Sequence, residues 1–292
     1  MNMAERPTGK NGSSARAVNS GAPASQHGRT TVITGATRGI GKALALALAR
    51  EGASLAVSYK KNADLAAELA SLVEQLGGQI VTVRADVEQP ADIGRLFDIA
   101  AERFGRIDAF VCNAAASSFK NILSLGVHNL DRSYAVNVRA FVLGAQRAVE
   151  LMDHGGRIVA LSSYGSVRAY PTYGNLGSAK AAVEAWVRYM ALEFAPRGIN
   201  VNAVTGGIIE SDSLDYFYNA PGMAPLETVI RTIPKGRAGT PQEIADAVTF
   251  LLSPSSEYIT GQSLIVDGGL SIAVAPFTHD LTAPLAGQPS PG

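Results

Sequence analysis

The chain lacks a second cysteine. Cys112 stands alone among 292 residues, so no internal disulfide can form. This fits a reducing compartment, and a cytoplasmic location is expected. The chain also lacks net charge, with 25 basic and 25 acidic residues. A basic face for nucleic acid or for an anionic membrane surface is therefore not expected. No apolar run reaches the roughly 18–20 residues that cross a bilayer. The four histidines, His27, His128, His154 and His279, are scattered without metal-ligand spacing, so no metal is expected. Residues 1–28 are rich in Ser, Ala, Gly and Asn and lack the apolar core of a secretory signal. They are expected to form a disordered extension, and the Pro- and Gly-rich residues 276–292 a flexible tail.

What remains, residues 29–275, alternates short apolar strands with helices. Strands are expected at Thr30–Thr34, Ser54–Tyr59, Gln79–Arg84, Ile107–Cys112, Arg157–Ser162, Ile199–Val204 and Ser263–Val266. Helices are expected at Ile40–Arg50, Ala63–Leu76, Pro90–Phe104, Asp131–Met152, Thr172–Ala195 and Pro241–Leu252. Gly77-Gly78 supplies a helix stop, and Pro90 and Pro241 occupy first-turn positions. The strands are apolar on both faces. That pattern implies an α/β fold: one doubly wound parallel sheet of about seven strands, with helices on both sides.

The first strand runs into Thr34-Gly35-Ala36-Thr37-Arg38-Gly39-Ile40-Gly41. Glycines here permit a sharp turn and a close approach of backbone to a pyrophosphate. The helix that follows offers free N–H groups and a favourable dipole to the phosphates. The Thr-Gly-x-x-x-Gly-x-Gly spacing resembles that of the short-chain dehydrogenase/reductase family. Further motifs support the resemblance: Asp86-Val87 after strand three, Asn113-Ala114-Ala115 after strand four, Asn137 in Val-Asn-Val, and Asp267-Gly268-Gly269 after the last strand. The family implies a single Rossmann-like domain. It also implies cofactor contacts at Gly35, Thr37, Arg38, Gly39, Ile40, Gly41, Asp86, Val87, Asn113, Ala114, Gly207 and Ile208.

A carboxylate at the end of strand two would select NAD by binding the adenosine ribose. This chain has Val57-Ser58-Tyr59-Lys60-Lys61 there, with no acid. Arg38 and Lys60 are the cations suited to a 2′-phosphate, so the expected cofactor is NADP(H).

The family pairs a Tyr with a Lys four residues later. Lys180, in Ala-Lys-Ala-Ala-Val-Glu, matches that Lys, but the position four residues before it is Leu176. Tyr173 stands seven residues before Lys180. At about 100° per residue, seven steps return to within roughly 20° of the starting direction, so both would share one helix face. Reduction of an enoyl thioester sends hydride to the β-carbon and gathers charge on a more distant carbonyl oxygen. A hydrogen-bond donor moved back along the helix suits that demand. The Tyr-x6-Lys spacing, with Val204-Thr205-Gly206-Gly207, resembles the FabL-like branch of enoyl-acyl-carrier-protein reductases. The resemblance implies that Tyr173 stabilises the enolate and that Lys180 binds the nicotinamide ribose and keeps the Tyr hydroxyl acidic. Ser163 and Asn137 fall at the family's remaining catalytic positions. Tyr164 and Tyr170 are rival hydroxyls, and packing is the competing reading for each tyrosine.

Residues 209–237 break the alternation and carry Tyr216, Phe217, Tyr218, Met223, Leu226 and Ile230. They are expected to form a substrate lid, with Tyr164, Tyr173, Tyr216 and Phe217 touching substrate. The expected substrate is an acyl thioester on acyl-carrier protein, in fatty-acid or related acyl biosynthesis. Arg168, Arg231, Lys235 and Arg237 are candidate carrier contacts. A 3-oxoacyl-type carbonyl reductase and a non-catalytic NADP(H) sensor are the alternatives. The family resemblance also implies a homo-oligomer, a tetramer or dimer.

Overall fold

A computed structural model describes residues 26–211, 214, 217, 218 and 225–273. Seven strands form one sheet: β1 (Thr30–Ile33), β2 (Ser54–Tyr59), β3 (Gln79–Arg84), β4 (Ala109–Cys112), β5 (Gly156–Ser163), β6 (Ile199–Gly206) and β7 (Ser263–Val266). Their order is β3-β2-β1-β4-β5-β6-β7, and every pairing is parallel. The α-helices of the described residues are α1 (Gly39–Arg50), α2 (Ala63–Gln75), α3 (Pro90–Phe104), α4 (Val127–Tyr134), α5 (Ala140–Glu150), α6 (Gly174–Phe194), α7 (Leu226–Ile230) and α8 (Pro241–Leu252). The doubly wound parallel sheet expected from the alternation is present.

The period of two along each strand explains the two-sided core. In β4, Phe110 and Cys112 join the cluster under α3, α5 and α6, while Ala109 and Val111 join the cluster under α1 and α8. Both faces are covered, so every residue of β1 and β4 is buried. Phe97 of α3 packs edge-on to Phe110, with ring centroids 5.2 Å apart.

Most boundaries fall within two residues of expectation, and two helices differ in a way that bears on the site. The helix expected over 131–152 is three consecutive pieces, α4, a π-helical turn at Ala135–Arg139, and α5. The π turn holds Asn137, whose amide Nδ2 donates to the Ser133 carbonyl four residues back (2.8 Å) and to the Ala116 carbonyl (2.7 Å). A side-chain donor thus serves a carbonyl that the widened turn releases. The long helix α6 starts at Gly174 rather than at Thr172. Thr172 has φ +64, in the left-handed region that a β-branched residue rarely enters. It follows Pro171 in a turn closed by Tyr173 N–H to the Tyr170 carbonyl (3.3 Å).

The sheet changes winding direction between β1 and β4, and a doubly wound sheet opens its crevice at the carboxyl ends of such strands. The segment expected to be a lid is tied down at its base. Glu210 N–H donates to the Gly239 carbonyl (2.9 Å), and Gly239 N–H to that of Ile208 (2.8 Å). Tyr216 and Met223 lie outside the described residues, as do 1–25 of the extension and the whole tail. No helix of the described residues is long and apolar enough to cross a membrane.

Candidate active site

The glycine turn leaves β1 and enters α1. Gly35 has φ +68 and Gly39 φ +53, conformations that favour glycine. A Cβ on Gly41 would lie 2.5 Å from the Gly35 carbonyl oxygen and 2.7 Å from Asn113 Nδ2, so the turn closes on itself only without one. A Cβ on Gly39 would meet nothing within 4 Å: that side of the turn is open. Arg38 is the N-cap of α1, with no side-chain cap bond and no acid in the first turn. This open helix N-terminus suits the pyrophosphate of a dinucleotide.

Asn113 and Ala114 hold the turn from behind. Asn113 Nδ2 donates to the carbonyls of Gly35 (2.7 Å) and Thr34 (3.1 Å), and the backbone N–H groups of both residues donate to Thr34 Oγ1. Thr37, Ile40 and Gly41 follow in the same turn and the first turn of α1. Gly207 stands at the end of β6, where a Cβ would come within 2.6 Å of Asp267 Cβ. Its neighbour Ile208 lines the cavity beside Arg38.

The structure adds a contact absent from the sequence reading. The end of β2 has no acid of its own, yet Lys60 pairs with Asp86 (2.7 Å) and approaches Glu88 (3.7 Å) beyond β3. Two residues expected to touch the cofactor separately thus touch each other, with Val87 buried beside them.

A cavity of about 460 Å³ opens at the carboxyl ends of the central strands. Ser163 ends β5, and its Oγ lies 2.9 Å from the Tyr173 hydroxyl. Lys180 reaches the same strand. It is buried, and its Nζ donates to the Leu161 carbonyl (2.7 Å). Residues seven apart on the helix therefore address positions two apart on β5. Tyr173, the N-cap of α6, accepts from Gly177 N–H at its carbonyl (2.8 Å), so the helical path reaches back to it. Leu176, at the family's ordinary Tyr position, presents an apolar side chain to the cavity. Asn137 is buried, and among the described residues nothing donates to or bonds its Oδ1.

Burial pushes the Tyr173 phenol above its ordinary value, and the Ser163 hydrogen bond only partly opposes this. Lys180, expected to keep this hydroxyl acidic, gives one of its three N–H donors to the Leu161 carbonyl. Burial also lowers the Lys180 pKa, with Cys112 and Glu184 acting against it. Cys112 is buried, and its thiol is pushed up.

The walls are aromatic. Phe119 stacks on Tyr173 (5.5 Å, 19°), and Tyr170 and Phe217 meet it edge-on at 5.4 and 5.5 Å. Tyr218 continues the wall from Phe217. Tyr164, expected to touch substrate, is buried and packs behind the wall against Tyr170, with ring centroids 5.7 Å apart. Burial pushes the Tyr170 phenol far up. Arg237 pairs with Glu243 (2.7 Å), so this candidate carrier contact is engaged within the chain. Among the described residues there is no cluster of metal-ligating side chains.

Sequence reasoning passed over three contributors. Phe119 carried no motif. Glu184 is buried, and its Oε1 accepts from Ser162 (2.5 Å), Ser166 (2.7 Å) and Thr205 (3.0 Å). Gly165 carried no signal except the absence of a side chain.

This glycine turn, parallel order and Ser–Tyr–Lys arrangement define a dinucleotide-dependent reductase fold of one type, and the chain belongs to the short-chain dehydrogenase/reductase family. Residues 35–271 match the family model described as enoyl-(acyl carrier protein) reductase. The chain is 62% identical over 263 residues to 1-cyclohexenylcarbonyl-CoA reductase of Streptomyces collinus, covering 90% of this chain and 94% of that protein. It is 36% identical to a hydroxynaphthalene reductase-like protein of Metarhizium brunneum, covering 85% and 96%. A short-chain dehydrogenase from Burkholderia cenocepacia, solved in complex with NADP, superposes with a TM-score of 0.79 at 31% identity, over 85% of this chain and 99% of that one.

Proposed function

We propose that this enzyme uses NADPH to reduce the C=C bond of an α,β-unsaturated acyl thioester, with a ring-bearing acyl group carried on coenzyme A. The observation that carries the reading is the Ser163–Tyr173 hydroxyl pair at 2.9 Å, formed by a Tyr one turn behind Leu176. Coenzyme A and the ring are supported by the Streptomyces relative's name. The aromatic wall of Phe119, Tyr170, Phe217 and Tyr218 suits a flat or cyclic acyl group.

The open turn at Gly39 and the uncapped N-terminus of α1 fit a dinucleotide. Arg38 and Lys60 would hold the 2′-phosphate, Lys60 shared with Asp86. Bound NADPH would supply the hydride that adds to the β-carbon. Negative charge then gathers on the thioester oxygen, and the enolate finally takes a proton at its α-carbon. Gly165 N–H donates to Ser163 Oγ (3.3 Å), which leaves the Ser163 proton for the Tyr173 oxygen. The Tyr173 proton is then available to the enolate oxygen. Such a chain of donors strengthens each member, and a buried phenol keeps its proton at neutral pH. Lys180, fixed to β5, would bind the nicotinamide ribose.

The test is a substrate panel with NADPH and NADH: cyclohexenylcarbonyl-CoA, crotonyl-CoA, crotonyl-acyl-carrier protein and acetoacetyl-CoA. We expect a saturated acyl-CoA product and at least about tenfold preference for NADPH. Turnover of acetoacetyl-CoA without enoyl turnover would favour the carbonyl-reductase reading, for which the Metarhizium relative speaks.

A homo-oligomer is supported by exposed apolar side chains on adjoining helices: Val127, Leu130 and Tyr134 on α4, and Tyr189 and Leu192 on α6. Sedimentation of wild type against Tyr189→Glu checks it. A wild-type monomer would sink the idea.

A further inference from the structure

Gly165 and Gly177 face each other between the turn after β5 and the first turn of α6. Neither has a positive φ, so neither is required by backbone conformation. Their missing side chains serve space. A Cβ on Gly165 would lie 2.3 Å from Tyr173 Cε1 and 2.5 Å from its Cδ1. A Cβ on Gly177 would lie 2.5 Å from the Gly165 carbonyl oxygen and 3.5 Å from Tyr173 Cδ1. The two glycines thus let helix and turn close together and leave a slot that the Tyr173 ring fills. Phe119 stacks on the ring. With this placement, the hydroxyl meets Ser163.

We propose that Gly165 is a positioning residue: its missing Cβ admits the Tyr173 ring to Ser163 from one helical turn behind Leu176. The displaced tyrosine is workable only because the turn after β5 makes room for it. Gly165 N–H also starts the donor chain through Ser163, so the same residue sets both the ring's berth and the orientation of its partner. This inference rests on the reading of Tyr173 as the hydrogen-bond donor to substrate.

The test is a mutant cycle in steady-state turnover of enoyl-CoA with NADPH. Gly165→Ala should lower kcat by about 30-fold or more while KM for NADPH stays within about twofold, the mark of a lost transition-state contact. In the Tyr173→Phe background the same change should cost less than about twofold, because the hydroxyl it positions is gone. If Tyr173→Phe turns over like wild type, the donor reading itself fails. If Tyr173→Phe is impaired but Gly165→Ala is not, or the two losses multiply, only the slot is overturned. Should Gly165→Ala fail to fold, the double variant Gly165→Ala/Tyr173→Ala should be recovered and bind NADPH, since removal of the ring empties the slot. Failure of that double variant to fold would overturn the proposal.

Discussion

The hydroxyls of Ser163 and Tyr173 lie 2.9 Å apart, joining the end of β5 to the N-cap of α6. Lys180, seven residues along that helix, is bonded to the same strand through the Leu161 carbonyl. Strand and helix are thereby fixed at two points, and the donor position follows from both.

Removal of the Tyr173 hydroxyl should act on the chemical step. Tyr173→Phe should lower kcat for the enoyl thioester by about 100-fold, the order found for loss of one preorganised donor to an oxyanion. Ser163→Ala, which only orients that donor, should cost about tenfold. Rapid-mix single-turnover kinetics separate these losses from binding. A Tyr173→Phe variant with unchanged kcat would contradict the role given to this residue.

The alkaline limb of kcat/KM should come from Lys180 and not from Tyr173. Burial lowers the lysine below its ordinary value and raises the phenol above its own. Burial thus brings the lysine's proton loss to lower pH and the phenol's to higher pH, and ribose binding goes with the lysine's proton. The Lys180→Arg variant, though slower, should lose this limb because a guanidinium stays charged. Stability should move the opposite way. The folded lysine has the lowered pKa, so the unfolded chain binds more protons between the folded and unfolded pKa values, and stability rises with pH across that window. Denaturant midpoints measured across alkaline pH would show the sign.

Glu184 should couple structure to that titration. Its carboxylate helps to hold the Lys180 proton, so Glu184→Gln should shift the alkaline limb to lower pH. Glu184→Ala would strand three hydroxyls, those of Ser162, Ser166 and Thr205. Partly buried donors left without acceptors should cost about 3 kcal/mol in urea denaturation. An unmoved pH profile in Glu184→Gln would remove Glu184 from the electrostatics of the site.

Thr172 should be a point of strain that glycine relieves. Its φ of +64 costs an ordinary residue about 1–2 kcal/mol, and its Oγ1 is buried without a partner among the described residues. Thr172→Gly gains unfolded-state entropy in return, which offsets about 0.4–1 kcal/mol. The net expectation is a stabilisation of up to about 1 kcal/mol, read as a higher denaturant midpoint. A lower midpoint would mean that the Thr172 side chain contributes packing worth more than the strain.

The sequence by itself determined the α/β alternation, the parallel sheet, the glycine turn and the candidate reacting side chains. These properties are local or periodic. Two-sided apolar strands, glycines at a βα junction and a seven-residue step on a helix depend on neighbours along the chain. Tertiary structure decided the rest. Asp86 after β3 reaches Lys60 after the neighbouring β2, Tyr164 packs on Tyr170 behind the cavity wall, and Phe119 covers Tyr173 from a loop more than fifty residues earlier. Burial, which no spacing reports, pushes the Tyr173 phenol above its ordinary value. Above all, the space beside Gly165 is defined by atoms that meet only after folding, and that space gives the displaced Tyr173 its place beside Ser163.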